Sequence, residues 1–227
     1  MLASFVRLRR LLCCALWIAV VGLAGPAEAQ NPADAPRAMT LVDLIGMPGV
    51  EGPRLSPDGA RIAFVKETAD WDRNRRIEHI WITPRDGDES FQLTNGDDGE
   101  DSPRWSPDGT RLAFLADRSD TLDSQIYLID PDGGEAQRLT AHPTAVSDIQ
   151  WAPDGRSIYF RADDAPSDAE KAQDEAQNDV IAFEEEYAHS RLWRIDVDTG
   201  EAEQITDGDW SLTGYRLSQD GTQIAYH

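Results

Sequence analysis

Apolar and polar residues alternate along four short runs, Arg61-Ile62-Ala63-Phe64, Arg111-Leu112-Ala113-Phe114, Ser157-Ile158-Tyr159-Phe160 and Gln223-Ile224-Ala225-Tyr226. A period of two sends successive side chains to opposite faces of a sheet, so each run predicts a half-buried strand. A turn signature precedes each run: Ser56-Pro57-Asp58-Gly59, Ser106-Pro107-Asp108-Gly109, Ala152-Pro153-Asp154-Gly155 and Ser218-Gln219-Asp220-Gly221. Pro presets φ at the first corner, Asp bonds its own backbone, and Gly accepts the positive φ that closes the turn. Asp58, Asp108, Asp154 and Asp220 are therefore expected to be structural, not catalytic or metal-binding.

A second repeated element lies between the turns. Gln125 to Thr140 parallels Arg191 to Thr206, and His79 to Gly87, ending at Gln92-Leu93-Thr94, is a looser third copy. Each unit then holds two turn-linked strand pairs, and four strands per unit at a period near fifty residues is the pattern of a propeller blade. The predicted fold is all-β: an incomplete β-propeller of four-stranded blades, about three blades plus part of a fourth, over residues 42–227. The turn aspartates are spaced 50, 46 and 66 residues apart, which places an insertion in the third unit at about 161–190. That stretch is rich in acids, and Ser167 with Glu170 has the spacing of a capping box, predicting a short acidic helix at about 168–178. A closed propeller needs roughly 4 to 8 blades to bury its strand edges, so the sequence is expected to be the N-terminal part of a longer protein.

The first residues read differently from the repeats. Arg7, Arg9 and Arg10 precede an uncharged run from Leu11 to Ala24, and Ala27-Glu28-Ala29 fits the small-residue rule for cleavage. Residues 1–29 are expected to be a secretory signal peptide and 30–41 a lead-in, giving an exported chain, periplasmic or secreted, with no membrane span after cleavage. Cys13 and Cys14 both lie in that leader, so the mature chain must rest on its core without disulfides. With 42 acidic against 21 basic residues and a formal net charge of -21, nucleic acid is excluded as a partner.

Candidate chemistry is sparse. A hydrolase elbow needs Gly-x-Ser-x-Gly. The nearest stretch, Gly155-Arg156-Ser157-Ile158-Tyr159, lacks the second Gly and lies on a repeat strand, so Ser157 is expected to be structural and no catalytic residue is assigned. His79, His142, His189 and His227 form no zinc spacing. Asp97, Asp98, Glu100 and Asp101, like Asp196 and Asp198, have calcium-site composition without regular ligand spacing, so no metal site is expected. Glycine loops for phosphate are absent, and no cofactor is expected. Trp81, Trp105, Trp151 and Trp193 fall at corresponding strand positions in different units and are expected to pack blades.

Three segments carry a resemblance: Met39-Thr40-Leu41-Val42-Asp43-Leu44-Ile45 running into Pro53-Arg54-Leu55-Ser56-Pro57-Asp58-Gly59, Gly99 to Gly109, and Phe183-Glu184-Glu185-Glu186-Tyr187-Ala188-His189-Ser190-Arg191-Leu192-Trp193. In this order they resemble bacterial prolyl oligopeptidase family serine peptidases of the acylaminoacyl-peptidase and dipeptidyl-peptidase type. The resemblance implies a propeller that caps a C-terminal α/β-hydrolase domain in cis and admits short peptide substrates, with the Ser-Asp-His triad on a domain that this sequence does not contain. It also implies that Glu184 and Glu185 hold the substrate's free amino terminus through charge-assisted bonds; the alternative is that they end a solvated acidic insertion. A competing class, the TolB-like periplasmic binding propellers, shares the Ser-Pro-Asp-Gly repeat. The opening segment, the uneven spacing and the insertion favour the peptidase class.

Overall fold

The computed structural model describes residues 37–87, 89–118, 123–166 and 188–227. A short helix, α1 (Leu41–Ile45), precedes fourteen strands. Strands β1 (Gly49–Leu55), β2 (Arg61–Asp70), β3 (Arg75–Pro84) and β4 (Phe91–Gln92) form the first sheet. The second contains β5 (Glu100–Trp105), β6 (Leu112–Ala116), β7 (Gln125–Ile129) and β8 (Gln137–Arg138). The third contains β9 (Val146–Trp151), β10 (Ser157–Asp163), β11 (Ser190–Asp196) and β12 (Ala202–Gln204), and β13 (Tyr215–Leu217) pairs with β14 (Ile224–Tyr226). Within each sheet neighbours follow chain order and pair antiparallel. The fold is the expected one: all-β, three four-stranded blades and half of a fourth. The helix predicted at about 168–178 lies outside the described residues.

The turn chemistry is as the sequence dictates. In the first turn, Ser56 Oγ donates to Asp58 Oδ1 (2.5 Å), the Ala60 N–H donates to the same carboxylate (3.0 Å), and the Arg61 N–H donates to Ser56 Oγ (2.9 Å). Ser106 with Asp108 and Ser218 with Asp220 repeat this arrangement. In the third turn Ala152 replaces Ser, and Asp154 keeps the Arg156 N–H (3.0 Å). Gly59, Gly109, Gly155 and Gly221 all hold φ between 70° and 72°, a conformation open to Gly at little cost. Three of them also approach the preceding turn: a Cβ on Gly109, Gly155 or Gly221 would meet Cδ of Pro57, Pro107 or Pro153 at 3.4, 3.6 or 3.0 Å. The backbone thus favours Gly at all four turns, while only at Gly221 is the space for a Cβ also tight.

Two further devices recur. Thr94, Thr140 and Thr206, all buried, each accept at Oγ1 from the N–H of Ile80, Ile126 or Leu192 (2.9 Å in every case). This pins the segment leaving each outer strand to the third strand of its own sheet. The tryptophans form two sets. Trp105 and Trp151, on first strands, reach across to the preceding sheet and donate from Nε1 to the carbonyls of Arg54 (2.9 Å) and Arg104 (3.0 Å). Trp81 and Trp193, with Tyr127 between them, occupy third strands.

The core sits between the sheets. Ala63, Ile80 and Ile82 of the first sheet pack against Trp105, Leu112, Phe114, Ala116, Tyr127 and Ile129 of the second. The opposite face of the second sheet, through Ala113, Leu115 and Ile126, meets Val146, Ile149, Trp151, Ile158, Phe160 and Ile195 of the third. Leu192, Leu212 and Tyr215 join the third sheet to the fourth. Phe114 and Phe160 are fully buried at the same strand position, each contributing about 2–3 kcal/mol relative to exposure.

Candidate functional site

The first strands bring charge toward a common axis. β1, β5 and β9 are each broken by one residue with positive φ, Gly52, Ser102 and Asp148, where the register with the neighbouring strand shifts. Such bulges re-aim the side chains that follow. Arg54, Arg104 and Gln150 lie two residues beyond these bulges, and Arg216 holds the aligned place on β13. Burial, then the Arg54 guanidinium, holds the Arg104 pKa below its ordinary value, while Asp148, Tyr215 and Asp101 act the other way. These neighbours come from all four sheets, which only a position near the shared axis allows. Burial and then Asp148 push the Tyr215 phenol above its usual range, so it stays protonated, and its hydroxyl donates to the Asp148 carbonyl (2.6 Å). Arg54 and Arg104 share a cleft of about 250 Å³ with Glu51, Glu78 and Asp101. Its walls therefore offer both guanidinium donors and carboxylate acceptors.

A second polar centre lies where the first and second sheets meet. The Glu100 side chain is fully buried. His79 Nδ1 lies 2.8 Å from Oε2, while Arg118 (2.5 Å) and the Gly96 N–H (2.7 Å) donate to Oε1. Burial pushes this carboxyl up, but its bonds with His79, Thr94, Arg118 and the Gly96 N–H outweigh that and hold it below its ordinary value. The neighbouring acids are engaged too: Asp97 pairs with Arg73 (2.8 Å) and Asp98 with Arg75 (3.1 Å). Among the described residues no group of His, Cys, Asp or Glu has the arrangement of a metal site.

Between the second and third sheets a cleft of about 420 Å³ opens beside His142, Phe160, Asp164 and Trp193. Phe160 and Trp193 are stacked (6.3 Å, 14°), and His142 meets Trp193 edge-on at 4.8 Å. Burial holds the imidazole pKa down, and Nδ1 is occupied by Thr144 Oγ1 (3.0 Å). Asp164 accepts from Arg191 Nε (3.0 Å) and NH2 (2.9 Å).

One constellation was not legible in the sequence. His189 Nδ1 lies 3.2 Å from Ser211 Oγ and its Nε2 3.3 Å from Asp209. Asp209 is fully exposed, so water screens the pair and the imidazole is not oriented as a general base needs. Ser157 lies on β10 as a structural residue. Glu184 and Glu185, the expected substrate contacts, lie outside the described residues.

Residues 44–187 match the family described as TolB beta propeller domain (PD40). No curated protein matches the chain in sequence. Among solved structures, the chain is similar to acylaminoacyl peptidase from Pyrococcus horikoshii (22% identity, TM-score 0.54) over 71% of this chain and 25% of that one. It is similar to TolB from Acinetobacter baumannii (21%, 0.50), over 78% of this chain and 37% of that one. It also resembles the β-propeller domain of the Trilobed protease from Pyrococcus furiosus, described as having an open velcro topology (19%, 0.52), over 74% and 46%. The chain thus spans less than half the length of each. At these identities the likeness concerns the fold.

Proposed function

The chain belongs to the TolB beta propeller domain family, and on that footing we propose that it is the substrate-gating propeller of an exported serine peptidase that hydrolyses short peptides. The observation that carries this reading is the polar axis. Arg54 and Arg104 face Glu51, Glu78 and Asp101 across one cleft, and a short peptide brings a carboxylate and an ammonium that such walls pair with. Likeness in fold to two protease propellers supports the same reading, as do the opening segment and the uneven repeat spacing. The propeller filters and positions; acyl transfer belongs to a hydrolase domain in cis. Glu184 and Glu185 hold the amino terminus of the substrate.

The test is a fluorophosphonate probe applied to the intact gene product, alongside hydrolysis of N-acyl and free-amine peptide anilides. We expect one covalent adduct on a serine outside residues 37–227 and turnover that the probe abolishes. Neither label nor turnover would overturn the reading and leave a binding propeller, the class that the likeness to TolB favours. In an active enzyme, unchanged cleavage of free-amine dipeptide substrates by Glu184→Gln and Glu185→Gln would withdraw the role given to those two residues.

A further inference from the structure

The third strand of each sheet carries an aromatic ring at one repeated position: Trp81, Tyr127 and Trp193. In the first sheet Lys66 Nζ lies 4.1 Å from the Trp81 ring centroid. In the second, the Arg118 guanidinium lies 5.2 Å from the Tyr127 centroid and 5.6 Å from that of Phe114. These are cation–π distances. In the third sheet the residues aligned with Lys66 and Arg118 are Ala162 and Asp164, and among the described residues no cation lies over Trp193. The ring instead lines the open cleft, and among the described residues the buried Trp193 indole N–H has no hydrogen-bond partner.

The remaining walls suit a positive charge. Trp193 and His142 supply aromatic surface, with the buried Phe160 ring stacked behind Trp193, no Lys or Arg lines the cleft among the described residues, and Asp164 stands at its lip with its side chain still 37% exposed. Arg191 donates to both oxygens of that carboxylate, from Nε to Oδ1 (3.1 Å) and from Nη2 to Oδ2 (2.9 Å); a carboxylate has about four lone-pair sites, so acceptor capacity remains. His142 stays neutral because of its burial and so does not supply the charge itself. A cation on a flexible stem, seated against Trp193 with its head toward Asp164, would reproduce from outside what Arg118 and Lys66 supply from within.

We infer that the cleft beside Trp193 binds the cationic side chain of a basic peptide residue, a guanidinium or an ammonium. Binding is read without hydrolysis, so its failure and the failure of the peptidase reading are distinguishable. The full-length protein is labelled with 15N-tryptophan and titrated with N-acetyl-arginine methylamide, then with the citrulline analogue, a neutral near-isostere. The Trp193 Nε1–H resonance is assigned by its loss in Trp193→Phe. The expected result is a saturable shift of that resonance with arginine, at least tenfold weaker with citrulline, and weakened in Asp164→Asn, whose folding is checked by its remaining indole resonances. Equal response to both amides would make the cleft an apolar side-chain site and overturn the inference, and no saturable shift with either would overturn it equally.

Discussion

Between the first and second sheets a buried carboxylate, Glu100, draws in His79, Arg118 and the Gly96 N–H, and Arg118 in turn covers Phe114 and Tyr127. Between the second and third sheets the aligned residues are Val146 for Glu100, His142 for Gly96 and Asp164 for Arg118. The apolar layers are alike, down to a fully buried Phe in each. The polar rims differ: one carboxylate with four partners seals the first junction, while the second leaves Trp193 half-buried beside a cleft. The repeat thus supplies stability through its core, and single loop residues decide whether a junction closes or stays open.

The comparison is most readily broken at Glu100. Glu100→Ala leaves His79, Arg118 and the Gly96 N–H without their shared acceptor, and we expect a loss of about 3 kcal/mol in urea unfolding. Glu100→Val, which imports the residue of the other junction, should recover part of it by apolar burial. A loss below about 1 kcal/mol for both would mean that the carboxylate does not hold the junction together. Gly96→Ala comes next. Its Cβ would collide with Glu100 Oε1, and we expect a cost of about 2 kcal/mol, whereas the aligned position at the second junction carries the whole imidazole of His142.

pH separates the two junctions by a smaller effect. The folded His142 titrates below its ordinary value of 6.5, so as pH falls past about 6.5 protons favour the unfolded chain. Stability contributed by the neutral ring is therefore present above that pH and lost below it. Glu100 titrates below its ordinary 4.5 in the fold, so its contribution is kept until pH falls below about 4.5 and then declines. Urea midpoints should fall between pH 7.5 and 5.5 in the parent and less in His142→Gln, whereas Glu100→Gln should keep that slope and flatten the one below pH 4.5. If His142→Gln retains the full slope above pH 5.5, the second junction is not where the proton acts.

How much of this could be read in the chain beforehand follows from the range of each interaction. The turns were legible because Pro-Asp-Gly and the flanking Ser act within a few residues, and the blades because a period of two recurs at a fixed interval. Glu100 appears as an acid among charged neighbours, Asp97, Asp98 and Asp101. Only its alignment with Val146 and Leu212, both buried, marks it as a core position, and its partners lie 18 and 21 residues away. The grouping of the tryptophans was half visible: Trp105 and Trp151 pack between sheets as expected, but Trp81 and Trp193 stand at a different, third-strand position, and that division needs the pairing. The cleft was invisible, since it arises from what Asp164 does not do for Trp193, and that requires knowing which residue of the neighbouring sheet does it.

The smallest expected effect lies at the far end of the second junction, in the turn between β9 and β10. There Asp154 accepts only the Arg156 N–H, whereas Asp108 of the preceding turn accepts from Ser106 Oγ (2.6 Å), the Thr110 N–H (3.1 Å) and Thr110 Oγ1 (2.9 Å). The backbone of the two turns is the same: Gly155 N–H donates to the Ala152 carbonyl (3.0 Å) as Gly109 N–H does to Ser106 (2.9 Å), and Gly φ is 71° against 72°. A hydroxyl at 152 would thus find Asp154 and the Ser157 N–H already placed. Ala152→Ser should stabilise by about 0.5–1 kcal/mol, the net worth of one added bond where donor and acceptor are prepositioned, and should protect the Ser157 amide from hydrogen exchange. Ala152 is 8% exposed, so a hydroxyl that missed those partners would be buried unsatisfied and would destabilise instead. The sign of the change therefore tests whether the third turn is a looser copy of the second or has repacked around its alanine.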